Sequence, residues 1–297
     1  MWKRALLALA LSLAAPAEKL RLGAWNIEWL DYPQNRTGLA SNRAQKPEDL
    51  ANYIEASGVD LLALEEICVD SSGSSPTLNR ALQLLSESQG QTWKVLLFPK
   101  KDGASTQLTG VAWNTARAEL VGQPIPLRAD DLSADGYNLL DRAPQAVKFR
   151  FAEGRSDFVL IPLHLKSNRK VNGRAIGADQ RAQESAAILQ VLPDIRKTTR
   201  DKDLVLLGDF NVKEAREKAV RQFVAAGFRD LNANDRSTFW KGQAPFDRFF
   251  VPQNQPEFRH SRLTLFKPER MSPEQFKIRL SDHYMVTTDM EIGADDD

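Results

Sequence analysis

In this 297-residue chain, ionisable and amide side chains collect at the ends of apolar runs. DLVLLG leads into Asp209 and Asn211, and VDLLAL leads into Glu65 and Glu66. VLIPLHL carries His164 near its end, LRLGAW is followed by Asn26, and SDHYMV opens with Asp282 and His283. Asp247 interrupts the otherwise apolar FDRFFV. Carboxylates and amides are hard oxygen donors of the kind that hold magnesium, calcium or manganese. Histidines titrate near neutral pH and move protons. One cysteine and scattered histidines give no zinc-site spacing, and neither GxxxxGKS nor GxGxxG occurs. The set fits metal-assisted hydrolysis at phosphorus.

Each residue also has a plainer reading. Asn211 and Glu214 have the Asn-x-x-Glu spacing of a helix-capping box. One of the adjacent Glu65 and Glu66 is expected to face solvent, because neighbours on a strand point opposite ways. A histidine at a strand end often only packs, Asp282 suits a turn, and Arg142 in LLDRAPQ fits an ordinary surface arginine. The convergence of these residues, more than any one of them, argues for a site.

The elements that must position them are short apolar runs alternating with helical patterns. Strands are predicted at 20–25, 59–64, 93–98, 108–113, 145–151, 158–165, 203–208, 246–251 and 283–290. Helices fit PEDLANYIEA after Lys46 and PTLNRALQLLSES after Ser75, each with proline at its first position. ADQRAQESAAILQVLPDI and VKEAREKAVRQFVAAG complete the helical set, the last stopped by Gly227. LTGVAWN and RAELVG read as a hairpin, so the sheets should be mixed. Intermixed strands and helices indicate the α/β class. No linker or repeat divides residues 18–297, which read as a single domain with a long polar excursion at 123–144 and a frayed acidic tail.

Composition is that of an ordinary globular protein, with 42% hydrophobic and 27% charged residues. Lys3 and Arg4, the apolar stretch Ala5 to Ala14 and the Ala15-Pro16-Ala17 cleavage pattern predict a removable signal peptide over 1–17. The apolar stretch is shorter than the roughly 20 residues a spanning helix needs. The mature chain is expected to start near Glu18 and to be periplasmic or secreted. Removal of two positive charges takes the net charge from +1 to −1, so no global basic field recruits nucleic acid. Cys68 cannot form an intrachain bridge and reads as inert packing.

In chain order, WNIEW, LLALEEI, LHLKS, GDFNV, FDRFFV and SDHYMV resemble the motif series of the endonuclease/exonuclease/phosphatase superfamily, from about Leu20 to Ile292. The resemblance implies a four-layer sandwich of two mixed β-sheets flanked by helices, a monomeric magnesium-dependent (or manganese- or calcium-dependent) phosphoesterase, and residue roles. It implies metal contacts from Asn26, Glu66 and Asp282, with Glu65 where the family usually has glutamine. His164, Asp209, Asn211, Asp247 and His283 take the catalytic positions, with Asp247 or Asp209 orienting His283 as the base for water. His164 would assist the leaving oxygen. Arg142 resembles a phosphate-contacting arginine. One departure concerns the glutamate that deoxyribonucleases pair with the first histidine: here the chain reads PKKDGAS, leaving Asp102 as a weak substitute.

Nucleic acid is the expected substrate. FDRFFV and SDHYMV are closer to the deoxyribonuclease versions than to inositol phosphatases, whose Trp-Cys-Asp-Arg motif is absent. HLKSNRKVNGR places Lys166, Arg169, Lys170 and Arg174 directly after His164, where Lys166 and Arg169 could contact backbone phosphates. Two rivals are a sphingomyelin or other phospholipid phosphodiesterase, with Trp29 and Trp240 as membrane contacts, and a binding module without chemistry. No stable membrane insertion is expected.

Overall fold

The computed structural model describes residues 18–32, 44–98, 107–127, 139–142, 144–151, 156–168, 175–242 and 244–293. The signal-peptide reading of 1–17, Asp102, Arg169, Lys170, Arg174 and the acidic tail from Ala294 lie outside the described residues.

Two six-stranded sheets face one another. The first is built from β1 (Lys19–Leu30), β2 (Leu61–Ile67), β3 (Trp93–Phe98), β4 (Leu108–Asn114), β11 (Thr264–Phe266) and β12 (Met285–Glu291), in the order β11-β12-β1-β2-β4-β3. The second holds β5 (Ala118–Pro126), β6 (Gln145–Phe151), β7 (Asp157–His164), β8 (Leu204–Asp209), β9 (Phe228–Asp230) and β10 (Asp247–Pro252), in the order β5-β6-β7-β8-β10-β9. Each sheet has a parallel pair near its centre, β1 with β2 and β7 with β8, and antiparallel pairs elsewhere. The expected architecture of two mixed sheets flanked by helices is the observed one.

Strand alternation explains the four layers. On β8, Val205 and Leu207 enter the core between the sheets, while Leu204 and Leu206 pack under α3 (Gly177–Thr199) and α4 (Lys218–Ala225). On β1, Leu22 and Ala24 face the inter-sheet core, and Trp25 and Ile27 pack beneath α1 (Pro47–Ser57), α2 (Pro76–Gln89) and α5 (Pro273–Arg279). Both faces of the central strands are therefore buried, as parallel pairs require. Each fully buried Leu or Phe contributes roughly 1.5–3 kcal/mol.

The predicted strands and helices are present, with three corrections. LTGVAWN and RAELVG are not a hairpin: β4 pairs with β2 and β3 in the first sheet, and β5 pairs with β6 in the second. The short turn at 115–117 carries the chain across the sandwich, because β3 already occupies the other edge of β4. The helix predicted from Val212 begins only at Lys218. The excursion at 123–144 starts as strand, since β5 runs to Pro126. The reading also passed over α5, although its Ser272–Gln275 pair forms a complete capping box.

Candidate active site

The rows of side chains that fill the inter-sheet core continue past it as polar residues. Asp209 follows Val205 and Leu207 in parity, Asp247 precedes Phe249 and Val251, His164 follows Leu160, and Asn26 follows Leu22 and Ala24. All four therefore converge at one rim of the sandwich. Glu65 follows Leu61 and Ala63 and is also fully buried between the sheets. Gly208 makes room for it: a Cβ there would stand 2.5 Å from Glu65 Oε1 and 2.2 Å from the Leu163 carbonyl.

Parity alone would hide Glu66. The β1–β2 register shifts between Asn26 and Leu30, the β2–β4 register shifts between Leu64 and Ile67, and Glu66 adopts φ 61°. This bulge turns its carboxylate to the rim. The expectation that one of Glu65 and Glu66 faces solvent is thus corrected: one is core and the other lines the site. Of seven non-glycine residues with positive φ among the described residues, Glu28, Trp29, Glu66 and Asn211 line the same cavity. Backbone strain concentrated at one place marks a functional constraint.

The cavity, about 220 Å3, also receives Arg142, His164, Asp209, Asp282 and His283. Asp209 is its centre. Its Oδ2 accepts from Asn26 Nδ2 at 3.0 Å and stands 3.6 Å from His164 Nε2 and 4.0 Å from His283 Nε2. Its Oδ1 accepts from the Asn211 amide at 2.8 Å, an Asx turn that sets Asn211 at φ 54°. Asn211 is therefore not a helix cap: its side chain donates to the Leu165 carbonyl, and α4 starts seven residues later. Burial raises Asp209 to about 6, with His283 opposing the rise and Asp247 adding to it.

His283 forms a dyad with Asp247, Nδ1 to Oδ2 at 2.9 Å, and Thr238 Oγ1 donates to the same carboxylate oxygen. The loop that presents His283 is fixed on three sides. Trp25 Nε1 donates to the His283 carbonyl at 2.9 Å, His283 N donates to Ser281 Oγ, and Ser281 Oγ donates to the Asn26 carbonyl. Phe239 and Phe246 stand against the ring, each at 5.7 Å. Burial would drive the proton off His283, but Asp247, Asp209 and Asp282 outweigh it and raise the imidazole well above its usual range. His164 goes the other way: burial, then the charges of Arg142 and His283, hold it well below. Its Nδ1 is buried without a hydrogen-bond partner among the described residues. The two imidazoles are thus pushed in opposite directions by their surroundings.

The donor set fits a hard divalent cation. Asp209, Asp247 and His283 can each place one ligand atom within 4.8 Å of the others. Asp247 Oδ2 is engaged by His283 and Thr238, which makes that pair a dyad, and Glu66, Asp282 and Asp209 are the further carboxylates at the cavity. Burial, opposed by Arg142 and reinforced by Asp282, pushes Glu66 up to about 7. Crowded, desolvated carboxylates of this kind favour a dication. The Asn26 amide is used within the chain at both ends, Oδ1 accepting from Glu28 N at 2.9 Å. Asn26 thus orients Asp209.

Of the predicted phosphate contacts, Arg142 reaches the cavity, where its guanidinium donates to Gln107. Lys166 does not line it. Its ammonium pairs with Asp141 at 2.8 Å, and its amide is tied to the buried Glu184. Residues the sequence reading passed over are Glu28, Trp29 as a cavity wall, Gln107, Ser167 and Thr238. Lys277 of α5 is another. It ion-pairs with Glu28 and stands 3.8 Å from Asp282. Only a period-3.6 reading of PEQFKIR would have put Lys277 one position beyond the buried Phe276 and toward the site.

No protein-family profile matches the chain, and its sequence matches no curated protein. The fold is matched by solved structures. An endonuclease/exonuclease/phosphatase family protein from Bacteroides thetaiotaomicron superposes with TM-score 0.62 at 16% identity, covering 93% of this chain and 98% of that one. The human Nocturnin catalytic domain with bound sulfate gives 0.57 at 21% identity, covering 91% and 93%. D. rerio TDP2 complexed with single-strand DNA product gives 0.55 at 17% identity, covering 91% and 98%. The chain has the fold of the endonuclease/exonuclease/phosphatase superfamily.

Proposed function

We propose that the protein is an exported, divalent-metal-dependent phosphodiesterase that hydrolyses nucleic-acid phosphodiester bonds. The observation that carries the reading is the placement of Asp209 Oδ2, held by Asn26 at 3.0 Å and facing both imidazole Nε2 atoms at 3.6 and 4.0 Å. A phosphoryl group between those imidazoles would sit beside a carboxylate able to take a proton from water. The fold shared with a DNA-product complex of D. rerio TDP2 supports nucleic acid as the substrate. The N-terminal signal-like sequence supports export.

The residues divide the work by charge. Asp209, ionised above about pH 6, accepts the proton of the attacking water as its oxygen bonds to phosphorus. His283, protonated through Asp247, donates a hydrogen bond to the phosphoryl oxygens as they gain charge. Arg142 supplies a second fixed cation at the cavity. As the ester bond breaks, the leaving oxygen takes a proton from solvent, and the neutral His164 beside Asp209 can only hydrogen-bond to it. Glu66, Asp282 and Asp209 would hold magnesium, manganese or calcium, which supplies Lewis-acid charge for the reaction.

The test incubates the chain from Glu18 onward with supercoiled plasmid and magnesium, beside EDTA and His283→Ala controls. Nicking lost in both controls is the expected result. No nicking with magnesium, manganese or calcium overturns the nucleic-acid reading and moves the search to sphingomyelin and inositol phosphates.

A further inference from the structure

Among the described residues that line the cavity, Trp29 is the one that is neither ionisable nor strongly polar. It is half-buried and belongs to none of the three apolar cores. Its backbone is left-handed, φ 56°, in a run with Glu28 at 50° and Asp31 at 60°. A bulky side chain there is an outlier, and glycine would take the same conformation without strain. The surroundings over-determine it. Asp31 accepts from Ser75 Oγ at 2.6 Å and from Thr77 N at 3.0 Å at the start of α2. Asn26 Oδ1 holds the Glu28 amide, and Tyr32 N donates to the Trp29 carbonyl at 3.1 Å. The Tyr32 ring meets the indole edge-on at 4.8 Å. Apart from the Tyr32 contact it fills none of the three apolar cores, so its strained placement beside Glu66 and Arg142 calls for a ligand.

We propose that Trp29 is the platform on which the planar base flanking the scissile phosphate stacks. An indole offers its π-face to any base, which suits a sequence-tolerant single strand. The proposal rests on the phosphodiester reading above and adds a second feature of the substrate, a heterocycle beside the phosphate. Trp240, the other tryptophan considered for surface contact, packs against the helix-side core and is not part of the platform.

The test compares a labelled thymidine oligomer with an equal-length abasic spacer oligomer. Binding is measured in a His283→Ala background to prevent turnover, with Trp29, Trp29→Phe or Trp29→Gly. Cleavage is measured separately in the otherwise native chain. The expected preference for thymidine is about 5- to 100-fold. Trp29→Phe should keep most of it and Trp29→Gly should lose it, while the Tm of Trp29→Gly stays level or rises because glycine relieves the strain. No preference with Trp29 present, or an equal preference in Trp29→Gly, overturns the proposal. Trp29-dependent binding to sphingomyelin vesicles in place of the oligomer also overturns it. A Trp29-dependent preference without cleavage would sink the hydrolase reading and leave the platform standing.

Discussion

Asp247 and Arg248 are neighbours on β10, and they open two buried ionic clusters of opposite design. Arg248, fully buried, is met by the Asp230 and Asp235 carboxylates and the Asn232 carbonyl. One fixed cation is surrounded by fixed anions from a single stretch of chain. Asp247 belongs to a cluster with Glu65, Glu66, Asp209 and Asp282, where the nearest cations are His283, Arg142 and Lys277. Both Glu65 carboxylate oxygens and Asp247 Oδ1 are buried without hydrogen-bond partners among the described residues. The first cluster balances its charges within the protein and serves the fold, although Arg248 Nε is itself buried without a hydrogen-bond partner among the described residues. The second crowds carboxylates at an open cavity, an arrangement suited to a dication.

The largest expected effect is on the rate, at the rim. His283→Ala should lower kcat/KM about 100- to 10,000-fold, with a lower Tm as well because the buried Asp247 carboxylate loses its partner. Asp209→Asn should lower the rate in the same range and raise stability by roughly 1 to 3 kcal/mol, because a buried carboxylate no longer has to ionise. A destabilised Asp209→Asn would break the comparison. Next comes Arg248→Met, which strands two carboxylates. A loss of about 3–5 kcal/mol is expected from chemical denaturation, with kcat preserved in the folded fraction.

A smaller effect is pH-dependent. Burial raises the folded-state Asp209 to about 6 and Glu66 to about 7, above their unfolded values. Between those limits the folded state binds more protons than the unfolded one, so stability is greatest at low pH and falls as pH rises through about 4 to 7. Melting curves without metal should show this fall, and Glu66→Gln should make it shallower. Smallest of all is Lys277→Met, worth about 1 kcal/mol of stability for an ion pair whose lysine is partly exposed and whose Glu28 is buried. It should tighten magnesium binding by removing a competing cation at Glu28 and Asp282.

The sequence made the strands legible because apolar runs buried on both faces have few other readings, and the site was legible because polar residues ending such runs share their parity. What stayed hidden depended on partners. LTGVAWN and RAELVG look the same whether they pair or cross between sheets. The Asn211–Glu214 spacing suits a cap, but Asp209 takes the Asn211 amide first. The sequence places Lys166 after His164 but not the Asp141 carboxylate that pairs with its ammonium. Glu66 and Trp29 reach the cavity through bulged, left-handed backbone, and periodicity cannot see a bulge. Lys277 lies on a short helix whose sequence carries no catalytic signature.

The most direct measurement is the melting temperature under a magnesium titration, for the native chain and for Glu66→Gln, with Arg248→Met as the contrast. The rim account predicts that magnesium raises the Tm of the native chain and of Arg248→Met alike, and that Glu66→Gln loses most of that rise. A Tm indifferent to magnesium, or one that rises equally in Glu66→Gln, would contradict it.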